Sequence, residues 1–276
     1  MNNVKPEYLK LTDNPGSFRP YKQKNINSLL LSLFDMVKKE NYEQGFRYLI
    51  TEGSNFVNRI KNKNKLGKSL CPICKQSNVH FIHISNQIQF AFNSICPNCS
   101  SRSRHRGLYF LYDAVFKKNK NHVKILHFAP EVVFMKFFED NSFITYHTAD
   151  LSLQDVDYPK LDIQKIDIPD RTYDYILCNH VLEHVKNDKI AIREIKRCLK
   201  PNGQAIITVP GDFKKLNTQS FYHKLPNGHY REYGYDFIKV LEKYFDCVRF
   251  IDLHRYDLDK RYGIRKNEFA FIATKS

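Results

Sequence analysis

The sequence predicts an α/β fold whose main body is a mostly parallel sheet, preceded by an N-terminal helical segment and a small cysteine-knuckle unit. Three observations predict it. After His122, apolar runs of strand length alternate with helical patterns, the mark of a parallel sheet built from βαβ units. Between residues 71 and 99, two Cys-x-x-Cys pairs stand 21 residues apart. Before them, apolar residues recur at helical spacing. These shifts divide the 276 residues into 1–66 (arm and helices), 67–122 (cysteine unit and connecting helix) and 123–276 (sheet domain).

Residues 1–25, with Pro6, Pro15, Gly16 and Pro20, predict an extended arm. Ile26, Leu29, Leu30, Leu33, Phe34 and Val37 predict a helix over 26–39, and further helices are expected over 42–50 and 55–61. Residues 80–84 and 88–92 alternate or cluster like short strands, and Arg104 to Lys118 forms an amphipathic helix ending in a hinge at 119–122. In the sheet domain, strands are expected at 123–128, 143–149, 173–178, 204–209, 247–253 and 268–274. Helices are expected at 132–139, 186–199 and 235–244. Lys200-Pro201-Asn202-Gly203 is a strong stop for the second of these helices.

The composition is that of a globular chain, 42% hydrophobic and 26% charged. No apolar run is long enough to span a bilayer, and the first ten residues hold no apolar signal core, so a cytoplasmic protein is expected. The formal charge is +15, and +13 of it falls in residues 1–122. A basic surface of this kind suits nucleic acid, anionic glycans or nucleotides.

An odd count of seven cysteines without a signal segment argues against a disulfide framework. Cys71, Cys74, Cys96 and Cys99 instead have zinc-ribbon spacing: each knuckle presents two thiolates from one turn, and two knuckles close a tetrahedron around Zn²⁺. Pro72 and Pro97 favour those turns. Four thiolates fill the coordination shell, so the ion is structural. His80 and His83 are read as strand residues at the ribbon surface. Arg102, Arg104 and Arg106 follow the second knuckle and suit either a phosphate or acidic substrate, or docking onto the C-terminal domain.

Two blocks carry a resemblance. Tyr173-Asp174-Tyr175-Ile176-Leu177-Cys178-Asn179-His180-Val181-Leu182-Glu183-His184-Val185 and Glu194 to Gly203, followed by Ile206 to Pro210, resemble the type-11 family of class I S-adenosylmethionine-dependent methyltransferases in both motif and spacing. The preceding cysteine segment is similar to that of a bacterial subgroup of the family. The resemblance covers residues 123–274 and implies a Rossmann-like sheet with a C-terminal antiparallel strand, S-adenosyl-L-methionine as cofactor, and methyl transfer. It implies cofactor contacts at Phe128, Ala129 and Glu131 after the first strand, Asp150 and Leu151 after the second, Asp162 and Ile163 before the fourth, and Asn179 after the fourth. The physical logic agrees: ligands of open α/β sheets lie at the carboxyl ends of the strands, where the strand order switches. One departure stands out. The family's first loop is glycine-rich, whereas here it reads His127-Phe128-Ala129-Pro130-Glu131, with no glycine.

An oxygen acceptor needs a general base, for which histidine is apt near neutral pH. His180 after the fourth strand and His229 in Pro226-Asn227-Gly228-His229-Tyr230-Arg231 are the catalytic candidates, with His223 a weaker third. Glu183 is read as structural. Three functions follow: O-methylation of a small molecule or glycan, methylation of RNA gripped by the basic ribbon, and a non-enzymatic adaptor on a degenerate scaffold. The first is preferred because no RNA-binding module is recognisable.

Overall fold

The computed structural model describes residues 30–31, 42–85, 90–117 and 121–276. The expected arm over 1–25 lies outside these, as do the helix over 26–39 (apart from Leu30 and Leu31) and positions 119–120 of the hinge. The chain forms two compact units. One comprises Leu111–Leu253 with Phe269–Ser276, and the other the described residues up to Phe110 with His254–Glu268. The polar stretch 254–268, read from sequence as a connector inside the sheet domain, therefore folds with the cysteine unit. No helix among the described residues is long and apolar enough to cross a membrane.

In the cysteine unit, α1 (Tyr42–Lys63) is one continuous helix where two were expected. Gly53 does not break it, because the helix is held from outside by side chains that bond the free edge of β1 (Ile82–Ser85) and the residues before it. Asn55 donates to the His83 carbonyl at 3.0 Å and accepts from its amide at 2.8 Å. Asn62 does the same for His80, at 2.9 and 2.6 Å, and Asn58 donates to the Phe81 carbonyl at 3.3 Å. Asparagines at helical spacing thus satisfy an edge strand that would otherwise be open for pairing. On its other side β1 pairs antiparallel with β2 (Phe90–Ile95). His83 is not at the ribbon surface as expected. It is buried, with Nε2 3.0 Å from Ser54 Oγ and Nδ1 accepting from the Asn93 amide at 2.8 Å.

The helix α2 (Ser103–Phe116) begins in this unit, and Arg106 on it is fully buried. Its guanidinium donates to five carbonyls, those of Tyr262 (2.6 Å), Gly263 (2.8 Å), Ser101 (2.8 Å), Asn93 (3.0 Å) and Ser94 (3.2 Å). It also lies over the Phe81 ring at 3.9 Å. That settles one of the two uses open for this arginine: it ties residues 262–263 to the hairpin and is not available to a phosphate.

The sheet unit carries β3 (Val123–Phe128), α3 (Val132–Glu139), β4 (Ile144–Asp150), β5 (Tyr158–Pro159), β6 (Tyr173–Asn179), α4 (Asp188–Cys198) and β7 (Leu199–Thr208). A short pair, β8 (Gln219–Ser220) and β9 (Arg231–Glu232), then precedes α5 (Asp236–Glu242), β10 (Cys247–Asp252) and β11 (Phe269–Thr274). Seven strands form one sheet in the order β10-β11-β7-β6-β3-β4-β5. The pairs from β7 through to β5 are parallel, and β11 runs antiparallel between β7 and β10, as expected. The Lys200–Gly203 segment differs from expectation. The strand begins at Leu199 rather than Gln204, and these residues bulge within it, since Tyr173 pairs with Leu199 but Tyr175 with Gln204. Beneath the sheet, Ile176, Ile192, Ile195, Ala205 and Phe237 belong to one buried core.

Arg106→Ala removes a donor from five carbonyls, of which Ser101 keeps the Cys96 amide, and is expected to cost the cysteine unit roughly 3 kcal/mol or more. Arg106→Lys should rescue little, because an ammonium has three donors for five acceptors. Denaturant unfolding, with hydrogen exchange over residues 254–268, reads both effects.

Candidate functional site

The strand order reverses between β3 and β6: from β3 the chain moves outward to β4, then crosses to β6 on the other side. At the carboxyl ends of these strands lies a cavity of about 310 Å³, lined by Phe128, Ala129, Asp150, Leu151, Asp162 and Ile163, with His180, His184 and Lys224 among its remaining walls. Six of the eight expected cofactor residues and one of the two catalytic candidates therefore meet at one opening.

Both strands flanking the switch point end in a left-handed residue other than glycine. Ala129 has φ 48° and His180 φ 52°. Each is held there by a backbone bond to the next strand, Ala129 N to Ala149 O and His180 N to Thr208 O, both 2.8 Å. Ala129 thus makes the turn that a glycine would make in the first loop, at some cost in strain and with the smallest side chain that keeps the cavity open. The Asp150 carboxylate caps its own loop, accepting from Ser152 N at 2.6 Å and Leu153 N at 2.8 Å through one oxygen. Its other oxygen makes no such bond. Asp162 accepts from Gln164 N at 2.8 Å and braces the turn before Ile163.

Two expected cofactor residues sit behind the cavity rather than on its wall. Glu131 Oε2 is 3.0 Å from His127 Nε2 and accepts from Asn179 Nδ2 at 3.0 Å. Asn179 Nδ2 also donates to Tyr112 Oη at 2.7 Å, and Asn179 Oδ1 accepts from Thr208 Oγ1 at 3.3 Å. Burial, then the Glu131 charge, pushes the Tyr112 hydroxyl well above its ordinary value, so it stays neutral in this network. Asp157, which no sequence signal singled out, ties the loop to β4 by accepting from Thr148 N and Oγ1, both at 2.8 Å.

His229 does not line the cavity. Its ring lies edge-on to His184, with centroids 4.9 Å apart, and burial lowers its pKa below the ordinary value against the pull of Glu183. It is placed there by Arg231, a residue sequence reasoning noted only as part of a block. The buried guanidinium donates to the carbonyls of Leu182 (2.7 Å), Val185 (2.9 Å) and Lys186 (2.8 Å), while Tyr230 N bonds to Glu183 O at 2.7 Å. His223 is exposed and its ring lies edge-on to Tyr222. Glu183 is fully buried, with Oε1 3.2 Å from His180 Nδ1 and 3.9 Å from His184 Nε2.

In the other unit the four knuckle sulfurs all lie within 4.8 Å of one another. Cys71 and Cys99 Sγ are 3.6 Å apart and Cys74 and Cys96 Sγ 3.8 Å. A tetrahedron with metal–sulfur bonds of about 2.3 Å has edges of about 3.8 Å, so the donor set fits a zinc ion. Ser101 Oγ stands 3.1 Å from Cys99 Sγ and 3.5 Å from Cys71 Sγ, a hydrogen-bonding partner outside the sulfur shell.

Comparison with known proteins gives one family: residues 55–250 match the family described as methyltransferase domain. No curated protein matches the sequence. Solved structures with a similar course include a protein of Listeria monocytogenes assigned as an S-adenosylmethionine-dependent methyltransferase (14% identity, 62% of this chain and 99% of that one, TM-score 0.46). Another is the Burkholderia thailandensis 1,6-didemethyltoxoflavin-N1-methyltransferase with its substrate and S-adenosylhomocysteine bound (14% identity, 63% and 78%, TM-score 0.46). A third is the Haemonchus contortus phosphoethanolamine N-methyltransferase 2 with S-adenosyl-L-methionine (14% identity, 62% and 52%, TM-score 0.42). A backbone likeness at such identity says nothing of substrate.

Ala129→Gly is expected to relieve the left-handed turn and stabilise the sheet unit by up to about 1 kcal/mol. Ala129→Val places a branched side chain at positive φ and should destabilise it by roughly 1–2 kcal/mol. Urea midpoints of the two variants, compared with the parent chain, test the pair.

Proposed function

Because the chain belongs to the methyltransferase-domain family and is an enzyme of that kind, we propose that the cavity beside β3, β4 and β6 holds S-adenosyl-L-methionine, and that the acceptor is a small molecule or glycan methylated on oxygen. The observation that carries this reading is the cavity itself: it lies at the switch point of the sheet, and a left-handed alanine lets the backbone of the first loop approach a ligand.

The bound cofactor supplies an electrophilic methyl group on a sulfonium. The residues of this chain do the rest. Phe128 and Ala129 would hold the methionyl part. The Asp150 oxygen that makes no loop bond would accept from the ribose hydroxyls in charge-assisted hydrogen bonds. Asp162 and Ile163 would hold the base. Glu131 and Asn179 contribute through the network with His127 and Tyr112, which holds the end of β3 against β6. His180 lines the cavity and is the group that takes the proton the acceptor hydroxyl loses, with the Glu183 carboxylate behind it at 3.2 Å to hold the ring and stabilise its charged form. His229 is a neighbour of this pair, outside the cavity. The burial of Arg106 favours a small acceptor over RNA, since it removes one of the three arginines that would grip phosphates. In the cysteine unit, Cys71, Cys74, Cys96 and Cys99 hold a structural Zn²⁺, a reading supported by the tetrahedral fit of their sulfurs.

Calorimetry with S-adenosylhomocysteine tests the cofactor reading. Asp150→Ala should weaken binding about tenfold or more, the loss of a charge-assisted pair; undiminished affinity, or no binding by the parent chain, would count against it. His180→Asn should retain that binding while turnover of a hydroxylated acceptor falls on the order of 10²-fold or more. For the cysteine unit, elemental analysis should show that Cys96→Ser loses about one equivalent of zinc per chain relative to the parent, together with a lowered melting temperature.

A further inference from the structure

We propose that Glu183, His184 and His229 form a second metal site, one that takes a divalent transition ion and is distinct from the four cysteines. One ligand atom from each of the three lies within 4.8 Å of the others. A carboxylate and two imidazoles are the donor set of many zinc and iron(II) sites, and their nitrogen content disfavours calcium and magnesium.

The strongest sign is Glu183. It is fully buried, neither carboxylate oxygen makes a hydrogen bond, and the nearest nitrogen is His180 Nδ1, 3.2 Å from Oε1 alone. A buried carboxylate without donors is costly unless a cation answers it. Of the two histidines beside it, His184 is arranged as a ligand requires. His184 donates its Nδ1–H to the Gly228 carbonyl at 3.1 Å, which fixes the tautomer and leaves Nε2, on the Glu183 side at 3.9 Å, to ligate. Gly228 reaches that position at φ 83°, and a Cβ there would stand 3.3 Å from His184 Nδ1, so the residue type suits this contact. The Asn227 side chain accepts from the His229 amide at 3.2 Å and donates from Nδ2 to His229 Nδ1 at 3.1 Å, which places the ring beside His184; Nδ1 is the nitrogen without a proton, and an ion would take it in exchange for the Asn227 bond. The two ligand-bearing segments are fastened to each other by Arg231 and by the bond from Tyr230 N to Glu183 O, so the site is assembled in the fold before any ion arrives.

His184 is exposed and also lines the cofactor cavity, so an ion here would have coordination positions open toward solvent and toward the acceptor. Its place at the acceptor end rests on the function proposed above; the binding of the ion does not. An acceptor offering a pair of oxygens, such as a vicinal diol or a hydroxy acid, is the chemistry such an open site would orient.

The test uses the full chain saturated with Co²⁺ and desalted. The expected result is about two ions per chain, one with intense sulfur-to-metal charge-transfer bands and one with only weak d–d absorption. His184→Gln with His229→Gln, both chosen because neither residue is buried, should leave about one ion and keep the sulfur bands, whereas Cys96→Ser should lose the sulfur bands and keep the weak ones. Circular dichroism confirms that each variant folds. The proposal is overturned if the parent chain holds only the thiolate-bound ion, meaning that His180 alone compensates Glu183, or if the second ion survives the double substitution. S-adenosylhomocysteine binding is read on the same samples. Two ions without cofactor-product binding leaves this site standing and removes the cofactor reading, and the converse removes the site alone.

Discussion

The pairing of β3 with β6 is the constraint on which the rest of the sheet unit depends. A parallel sheet puts every carboxyl end on one edge, and the reversal of order at this pair leaves a crevice there. The crevice stays open because each strand ends in a left-handed turn, at Ala129 and at His180, that carries the chain away from it. Behind the opening, the hydrogen bonds of Asn179, Glu131, His127 and Tyr112 lock the two strand ends together in a buried polar network. Such a network rigidifies a site because its members satisfy one another, and any slip would strand a buried polar atom.

The cysteine unit solves a different problem. It is small, and its hairpin would leave an edge strand and several carbonyls open. Three asparagines on α1 and one arginine on α2 satisfy them. Arg106 has a second part to play. Its charge is buried where the four thiols gather, and the thiolates of Cys71, Cys96 and Cys99 favour the guanidinium against the cost of its burial. Four thiolates with one Zn²⁺ carry a net charge of about −2, so a buried cation nearby is electrostatically matched. Arg106 is therefore one basic group of the N-terminal region that is used inside the unit.

The same logic explains the histidine cluster. Glu183 is carried into the interior by a tight 3-10 turn, Leu182–His184, that leaves its neighbour His184 outside. Arg231 then brings the segment of His229 over the top. Four separate features, the turn, the arginine, the glycine at 228 and the asparagine at 227, converge on one carboxylate. Packing alone has no need of a glutamate in that position.

The order of the main sheet elements was legible because their apolar periods are clean: β3 and α3 begin and end at the expected residues, while β7 starts earlier and the two-residue β5 was not foreseen. The gathering of the four knuckle sulfurs was legible because the spacing of the two pairs dictates which cysteines can meet. So was the switch-point cavity, since six of its lining residues follow from strand order. Other features could not be read. The merging of two helices into α1, the burial of His83, and the withdrawal of Glu131 and Asn179 from the cavity wall all depend on bonds between residues tens of positions apart. Periodicity carries no record of such partners. The sequence by itself determined which segments are strands, in what order they come and which residue types reach the carboxyl edge. Only the tertiary structure decided which of those side chains face the ligand and which face one another, because that choice is made by hydrogen-bond partners that folding brings together.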